Sequence, residues 1–109
     1  NRSMNAGTNK EHQILEYLGI PYMDKQIKIP SLKLRVNLDG NTVDEIHEVK
    51  TYAWEKGFKV PLKYKRQIWV QMYVTGWRKA YIQAYGLKEE DYKNYFLPID
   101  KLLNLQKLY

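Results

Sequence analysis

The chain has 109 residues, 44% of them hydrophobic and 28% charged, and a formal net charge of +6. That suits one domain with a modest core and leaves no room for two. There is no cysteine and there are only two histidines, His12 and His47. Disulfides, Cys-ligated zinc and Cys-ligated iron–sulfur clusters are therefore excluded, and any metal chemistry is left to oxygen ligands.

No repeat, low-complexity tract or linker interrupts the chain, which reads as a single domain over 1–109. Asn1-Arg2-Ser3-Met4 lacks both the apolar stretch of a signal peptide and a Met at position 1, so a fragment or a processed chain is expected. Asn9 to Leu18 reads as a short helix capped by Thr8 or Asn9, with Ile14, Leu15 and Leu18 on its apolar face and Gly19 as its stop. Lys25 to Pro30 and Leu32 to Leu38 alternate apolar and polar residues. They read as two strands turned at Pro30-Ser31, with a further turn at Asp39-Gly40-Asn41. A third strand is expected from Glu45 to Tyr52, then a loop from Lys56 to Pro61 pivoting on Gly57.

Leu62 to Gly76 has helical periodicity, with Ile68 and Met72 on one line and Trp69, Tyr73 and Trp77 on the next. Ala80 to Tyr85 reads as a strand, Lys93 to Ile99 as another, and Asp100 as the cap of a last helix carrying Leu102, Leu103, Leu105 and Leu108. The order of helix, three strands, helix, strand and accessory elements indicates a mixed α/β layer fold. No apolar run reaches bilayer length, so no membrane span is expected.

The charge is unevenly placed. No acidic residue stands between Glu55 and Glu89, a stretch that holds Lys56, Lys59, Lys63, Lys65, Arg66, Arg78, Lys79 and Lys88. Such a run suits a polyanion, of which nucleic acid is the commonest, and equally suits a solvated basic face.

Chemistry is suggested by Asp39 at the end of one strand and Glu48-Val49-Lys50 inside the next. Residues two apart on a strand share a face, so Glu48 and Lys50 project together. Pairing through the short connection would set Asp39 beside Glu48. Two adjacent carboxylates repel, and Mg²⁺ or Mn²⁺ would relieve that repulsion, with a Val49 carbonyl as a further ligand. Lys50 could orient an attacking water and offset charge developing on a phosphate. Glu-x-Lys alone is a weak signal, and Asp91-Tyr92-Lys93 fits the same form without acids in the strands before it. A turn aspartate and an ordinary strand ion pair account for the same residues without any chemistry.

Asp39-Gly40, Glu48-Val49-Lys50 and the phrase Gln67-Ile68-Trp69-Val70-Gln71-Met72-Tyr73-Val74-Thr75-Gly76 resemble the YqaJ-type viral recombinase family. That family is related to lambda exonuclease within the PD-(D/E)xK superfamily. Met4 to Glu11 resembles the family segment in which a Gly precedes a helical Glu, so the likeness runs from about Met4 to Tyr85. It implies a restriction-endonuclease-like mixed sheet flanked by helices and an Mg²⁺- or Mn²⁺-dependent DNA exonuclease. Asp39 and Glu48 would be the principal metal ligands, Lys50 the catalytic lysine, and Glu11 and Gln67 would face the site from two helices. The implied partners are DNA, a single-strand annealing protein and further copies of the chain. The implied setting is the cytoplasm of a bacterium or a phage-infected cell. Longer relatives carry further N-terminal helices that hold the DNA end. A RecB-like repair nuclease, a structure-selective endonuclease and a non-catalytic DNA-binding or assembly domain are the alternatives.

Single residues carry plain readings too. Glu11 in a first helical turn also favours the macrodipole. Gln67 and Gln71 extend a polar line from Lys63, a solvated edge unless Gln67 faces the metal. His47 should point away from Glu48. Helical spacing favours the core for Trp69, Tyr73 and Trp77 over a base-stacking platform. Lys59, Lys63, Lys65 and Arg66 are the expected phosphate contacts, which set position rather than sequence preference.

Overall fold

The computed structural model describes residues 2–109, with side chains from Asn9 onward. Five strands form one mixed sheet in the order β1-β2-β3-β4-β5: β1 Tyr22–Ile29, β2 Leu34–Asn41, β3 Glu45–Ala53, β4 Lys79–Leu87 and β5 Asn104–Leu108. Helices α1 (Arg2–Tyr17) and α2 (Leu62–Thr75) pack on its two faces, and a one-turn helix α3 (Glu89–Lys93) follows β4. β1, β2 and β3 are antiparallel, β3 and β4 are parallel with α2 as their crossover, and β5 returns antiparallel to β4. Among the described residues no helix is long and apolar enough to cross a membrane.

Alternation along the strands divides the core. Ile14, Leu15 and Ile20 from the α1 side meet Val49, Tyr85 and Leu87. Ile68 of α2 meets Leu38, Ile46, Ile82 and Ala84 on the other face. Ile14, Ile46, Ile68 and Ile82 are fully buried, each worth roughly 1.5–3 kcal/mol of transfer free energy.

Four expectations are corrected. The first helix begins at Arg2, so Asn9 lies inside it and does not cap it; the side chain of Thr8 and those of Met4 to Gly7 fall outside the described residues. Asp39, Gly40 and Asn41 belong to β2, and the turn falls later. The Thr42 hydroxyl accepts hydrogen bonds from the Asp44 and Glu45 amides, and Thr42 N–H donates to the Glu45 carbonyl. Gly40 is needed for clearance: a Cβ there would come within 2.6 Å of a Leu15 methyl.

Lys93 to Ile99 is not a strand. Asp91 accepts from the Lys88 amide and closes a helical turn, and the acids Glu89, Glu90 and Asp91 favour a helix start. The last helix is instead β5. Its leucines suit either period, but β4 has an open edge, and pairing Ala84 with Leu105 and Gln83 with Gln106 satisfies that backbone. Tyr109 continues the pairing by exchanging both backbone hydrogen bonds with Ala80.

Candidate functional site

The two flanks of β3 differ. Toward β4 the pairing runs unbroken from Glu45/Lys79 to Ala53/Leu87. Toward β2 only Gly40/His47 and Asn41/Ile46 pair, beside the turn. Beyond them the strands part, and side chains take over from the backbone. Asp39 N–H donates to Glu48 Oε2 at 2.9 Å, and Val49 N–H donates to Asp39 Oδ2 at 2.9 Å. A strand residue turns its N–H and C=O to the same edge. The Val49 carbonyl therefore faces this fork as well.

The sheet also turns at this level. Leu38 packs in the α2 layer, whereas Gly40, of the same parity, abuts Leu15 and Ile20 on the α1 side. In β1, Asp24 stands opposite Asp39 between the Met23/Gly40 and Lys25/Leu38 pairs, with a left-handed φ of 58°. A non-glycine residue there is strained.

Glu48 lies in the apolar α2 layer, 1% exposed. Burial first, and then the facing Asp39, push its carboxyl from an ordinary 4.5 to about 8. Burial also raises Asp39, against the lowering by the Val49 amide and by Lys50. Glu11 reaches the same place from α1. Its carboxyl is raised to about 7 by burial, by the charges of Asp39 and Asp24, and by a hydrogen bond shared with Asp39. Desolvated acids that repel one another are held here with little counter-charge.

Gln67 of α2 ties the group together. Its Nε2 donates to Glu48 Oε1 at 3.0 Å, and its Oε1 accepts from Lys50 Nζ at 3.2 Å. Lys50 Nζ also lies 4.2 Å from the centre of the Tyr64 ring, which holds the ammonium at the edge of the fork. Asp39, Glu48, Lys50, Gln67, Glu11 and the Val49 carbonyl thus converge from four elements, β2, β3, α2 and α1.

Among the described residues, no three His, Cys, Asp or Glu side chains are gathered closely enough to enclose a cation. The reason is visible: Asp39 and Glu48 are each turned to a backbone amide of the other's strand. The donor set still fits a hard divalent ion. All donors are oxygens, and a desolvated pair of acids with raised pKa gains most from a cation that replaces its protons.

Several residues here escaped the sequence reading. Asp24, in no recognisable motif, adds a fourth acid and lies 2.7 Å from His12 Nε2. Gln71 is buried rather than solvated, and its Nε2 donates to the Asn37 carbonyl at 3.0 Å; its four-residue spacing from Gln67 was the available signal. His47 does point away from Glu48, where it stacks on Tyr81 and meets Gln83.

The core reading of the α2 aromatics is corrected for Trp69 and Tyr73, which are exposed, while Trp77 packs partly against the α2 layer. Ile68, Gln71 and Met72 take the inward face because they are one position round the helix from those rings. Beside the fork, a groove of about 390 Å³ runs between β2 and α2, lined by Arg35, Asn37, Lys63, Arg66, Gln67 and Gln71, with Val36 and Val70 between them. Lys59 lies in the loop before α2, and Lys65 is half-buried on another side of the helix. A concavity of about 620 Å³ lies at the far end of β4 by Trp54 and Lys88, and neither Asp39 nor Glu48 lines it. Comparison with protein-family models, curated proteins and solved structures finds no match for this chain.

Proposed function

We propose that the chain is an Mg²⁺- or Mn²⁺-dependent DNA nuclease of the PD-(D/E)xK type, with a restriction-endonuclease-like sheet and, most specifically, the exonuclease activity of phage-type recombination. The observation that carries this reading is the fork between β2 and β3. There the half-buried Asp39 and the buried Glu48 face each other, both with raised pKa, next to Lys50 and Gln67.

Asp39, Glu48 and the Val49 carbonyl would hold the ion, with Glu11 closing the site from α1. Bound there, a divalent ion would supply a more acidic, oriented water and charge stabilisation on a phosphate. The chain's own groups do the rest. Lys50, steered by Gln67 and Tyr64, places a cation where negative charge grows on the phosphate. Lys63 and Arg66 in the groove, with Lys59 and Lys65 nearby, would bind the phosphate backbone and fix its position.

A duplex labelled separately at its 5′ and 3′ ends, incubated with and without Mg²⁺, tests the proposal. Mg²⁺-dependent release from one end, absent in Asp39→Ala, is the expected result. One observation favours a second reading, a DNA-binding or assembly domain that keeps this fold: each carboxylate already bonds a backbone amide across the fork, as a structural staple would. Under that reading wild type does not cleave, and Asp39→Ala lowers the melting temperature of the metal-free protein.

A further inference from the structure

The exposed aromatic residues of α2 have no place in the core or in the fork. Trp69 is 51% exposed and Tyr73 76%, with Leu62 52% and Val70 41%. Helical spacing puts Trp69 and Tyr73 on one shoulder of α2, one turn apart. Lys63 and Gln67 lie on the other shoulder, along the groove. Arg66 stands on the crest between them.

We infer that the outer surface of α2 is a docking platform for a single strand of nucleic acid, its bases stacked on Trp69 and Tyr73 and its phosphates on Arg66, Lys63 and Arg35. The inference deepens the nuclease reading and rests on it for one point, that the strand continues past Gln67 to the fork.

Three features select this occupant. The first is charge. α2 carries Lys63, Lys65 and Arg66 and no acid, and no carboxylate occurs in the sequence from Lys56 to Lys88. An apolar surface with such a rim suits a polyanion that also has flat faces, which is the chemistry of a nucleic acid strand.

The second is spacing. Trp69 and Tyr73 are separated by about 6 Å along the helix axis. The step between bases in duplex DNA is about 3.4 Å. Rings at the wider separation match the unstacked bases of a single strand and do not match a stacked duplex, whose base faces are hidden.

The third weighs against a second copy of the chain. In a two-fold dimer the same patch meets itself, so Lys63, Lys65 and Arg66 of one copy would lie against the same residues of the other. Like charges brought together this way are repelled and desolvated.

The test uses the whole chain without divalent cation, so that binding is read without cleavage. Fluorescence anisotropy of a labelled thymidine oligomer gives the affinity of wild type, Trp69→Ala, Tyr73→Ala and Trp69→Phe. Each alanine variant should weaken binding roughly five- to tenfold, the lower part of the range for one base on one ring. Trp69→Phe should retain most of the affinity. The dependence of affinity on salt should keep its slope in all three, because no phosphate contact is removed. Both positions are exposed, so melting temperatures should stay near wild type and show that the variants fold.

Single-strand affinity unchanged in both alanine variants overturns the platform. Loss of self-association at unchanged affinity overturns it as well, and assigns the surface to contact between copies. If wild type binds the oligomer through these rings and still fails to cleave DNA in Mg²⁺, the platform stands and the nuclease reading falls. If wild type cleaves and the alanine variants bind normally, the nuclease reading stands and the platform falls.

Discussion

Strand β3 has two unlike flanks. Against β4 it forms a continuous parallel ladder in which backbone groups satisfy one another, over Ile46, Ile82 and Ala84, all fully buried. Against β2 the ladder stops after Gly40/His47, and Asp39 and Glu48 replace the missing backbone partners with carboxylates. The closed flank is paired along its whole length and serves stability. The open flank keeps acids desolvated at a cost, because ionising Glu48 there is opposed by burial and by Asp39. A fold that places such groups beside a firmly paired strand gives up stability at one seam and retains it at the next.

The largest expected effects come from disabling one flank at a time. Asp39→Ala should reduce Mg²⁺-dependent cleavage to background and abolish the rise in melting temperature that the ion gives by binding only the folded state. Ile82→Ala should do the reverse: it costs about 2–5 kcal/mol by leaving a cavity, while the response of the folded protein to Mg²⁺ persists. Thermal melts with and without Mg²⁺, run beside a nuclease assay, check both. If Asp39→Ala cleaves at the wild-type rate, the fork is not the catalytic site.

Lys50→Ala is the next largest. On the proposed reading Lys50 contributes charge and is not a ligand, so cleavage should fall about a hundredfold, the scale for loss of one charge-stabilising donor. The melting response to Mg²⁺ should survive, since Asp39 and Glu48 remain. A variant that loses both together would make Lys50 part of the structure of the fork rather than of its chemistry.

The sequence foretold these two flanks unequally. Alternation in Glu45 to Tyr52 placed Glu48 and Lys50 on one face and His47 on the other, whereas Gln67 was expected near them only from the resemblance carried by the Gln67 to Gly76 phrase. Local pattern suffices for the strand because alternation alone assigns its faces. The fork itself was not legible: the early end of the β2–β3 pairing and the left-handed Asp24 depend on how three strands twist together. The C-terminal segment misled for a related reason. Leu102, Leu103, Leu105 and Leu108 fit a helix, and only the open edge of β4 makes that stretch a strand. Trp69 and Tyr73 misled because aromatic content at helical spacing does not say which side of the helix is covered.

A smaller effect separates the flanks by pH. Glu48 and Glu11 titrate near 8 and 7 in the metal-free fold, against an ordinary 4.5. Between those values the folded chain binds more protons than the unfolded one, so stability falls as pH rises. The contribution is fully present below about pH 4.5 and is lost as pH passes through 7 and 8. Metal-free melting temperature should therefore decline from pH 5 to pH 8, and Glu48→Gln should flatten that decline. A decline of the same size in Glu48→Gln would place its source in groups other than Glu48.

The smallest effect lies in the approach to the open flank. Lys63 and Arg66 line the groove that leads to Gln67, whereas Lys65 sits on a different side of α2. Each phosphate contact contributes about −0.7 to the slope of log affinity against log salt on a single strand. Lys63→Ala and Arg66→Ala should each reduce the magnitude of that slope by about 0.7, and Lys65→Ala should change it less. All three should lower affinity without regard to base sequence, because a contact to phosphate carries no sequence information. Binding isotherms over a salt series, taken without divalent cation, distinguish the positions. Equal slopes for the three variants would mean that DNA meets the helix as a diffuse basic surface and does not follow the groove. A lower slope for Lys65→Ala alone would move the path to the opposite side of α2, away from Gln67, and detach it from the fork.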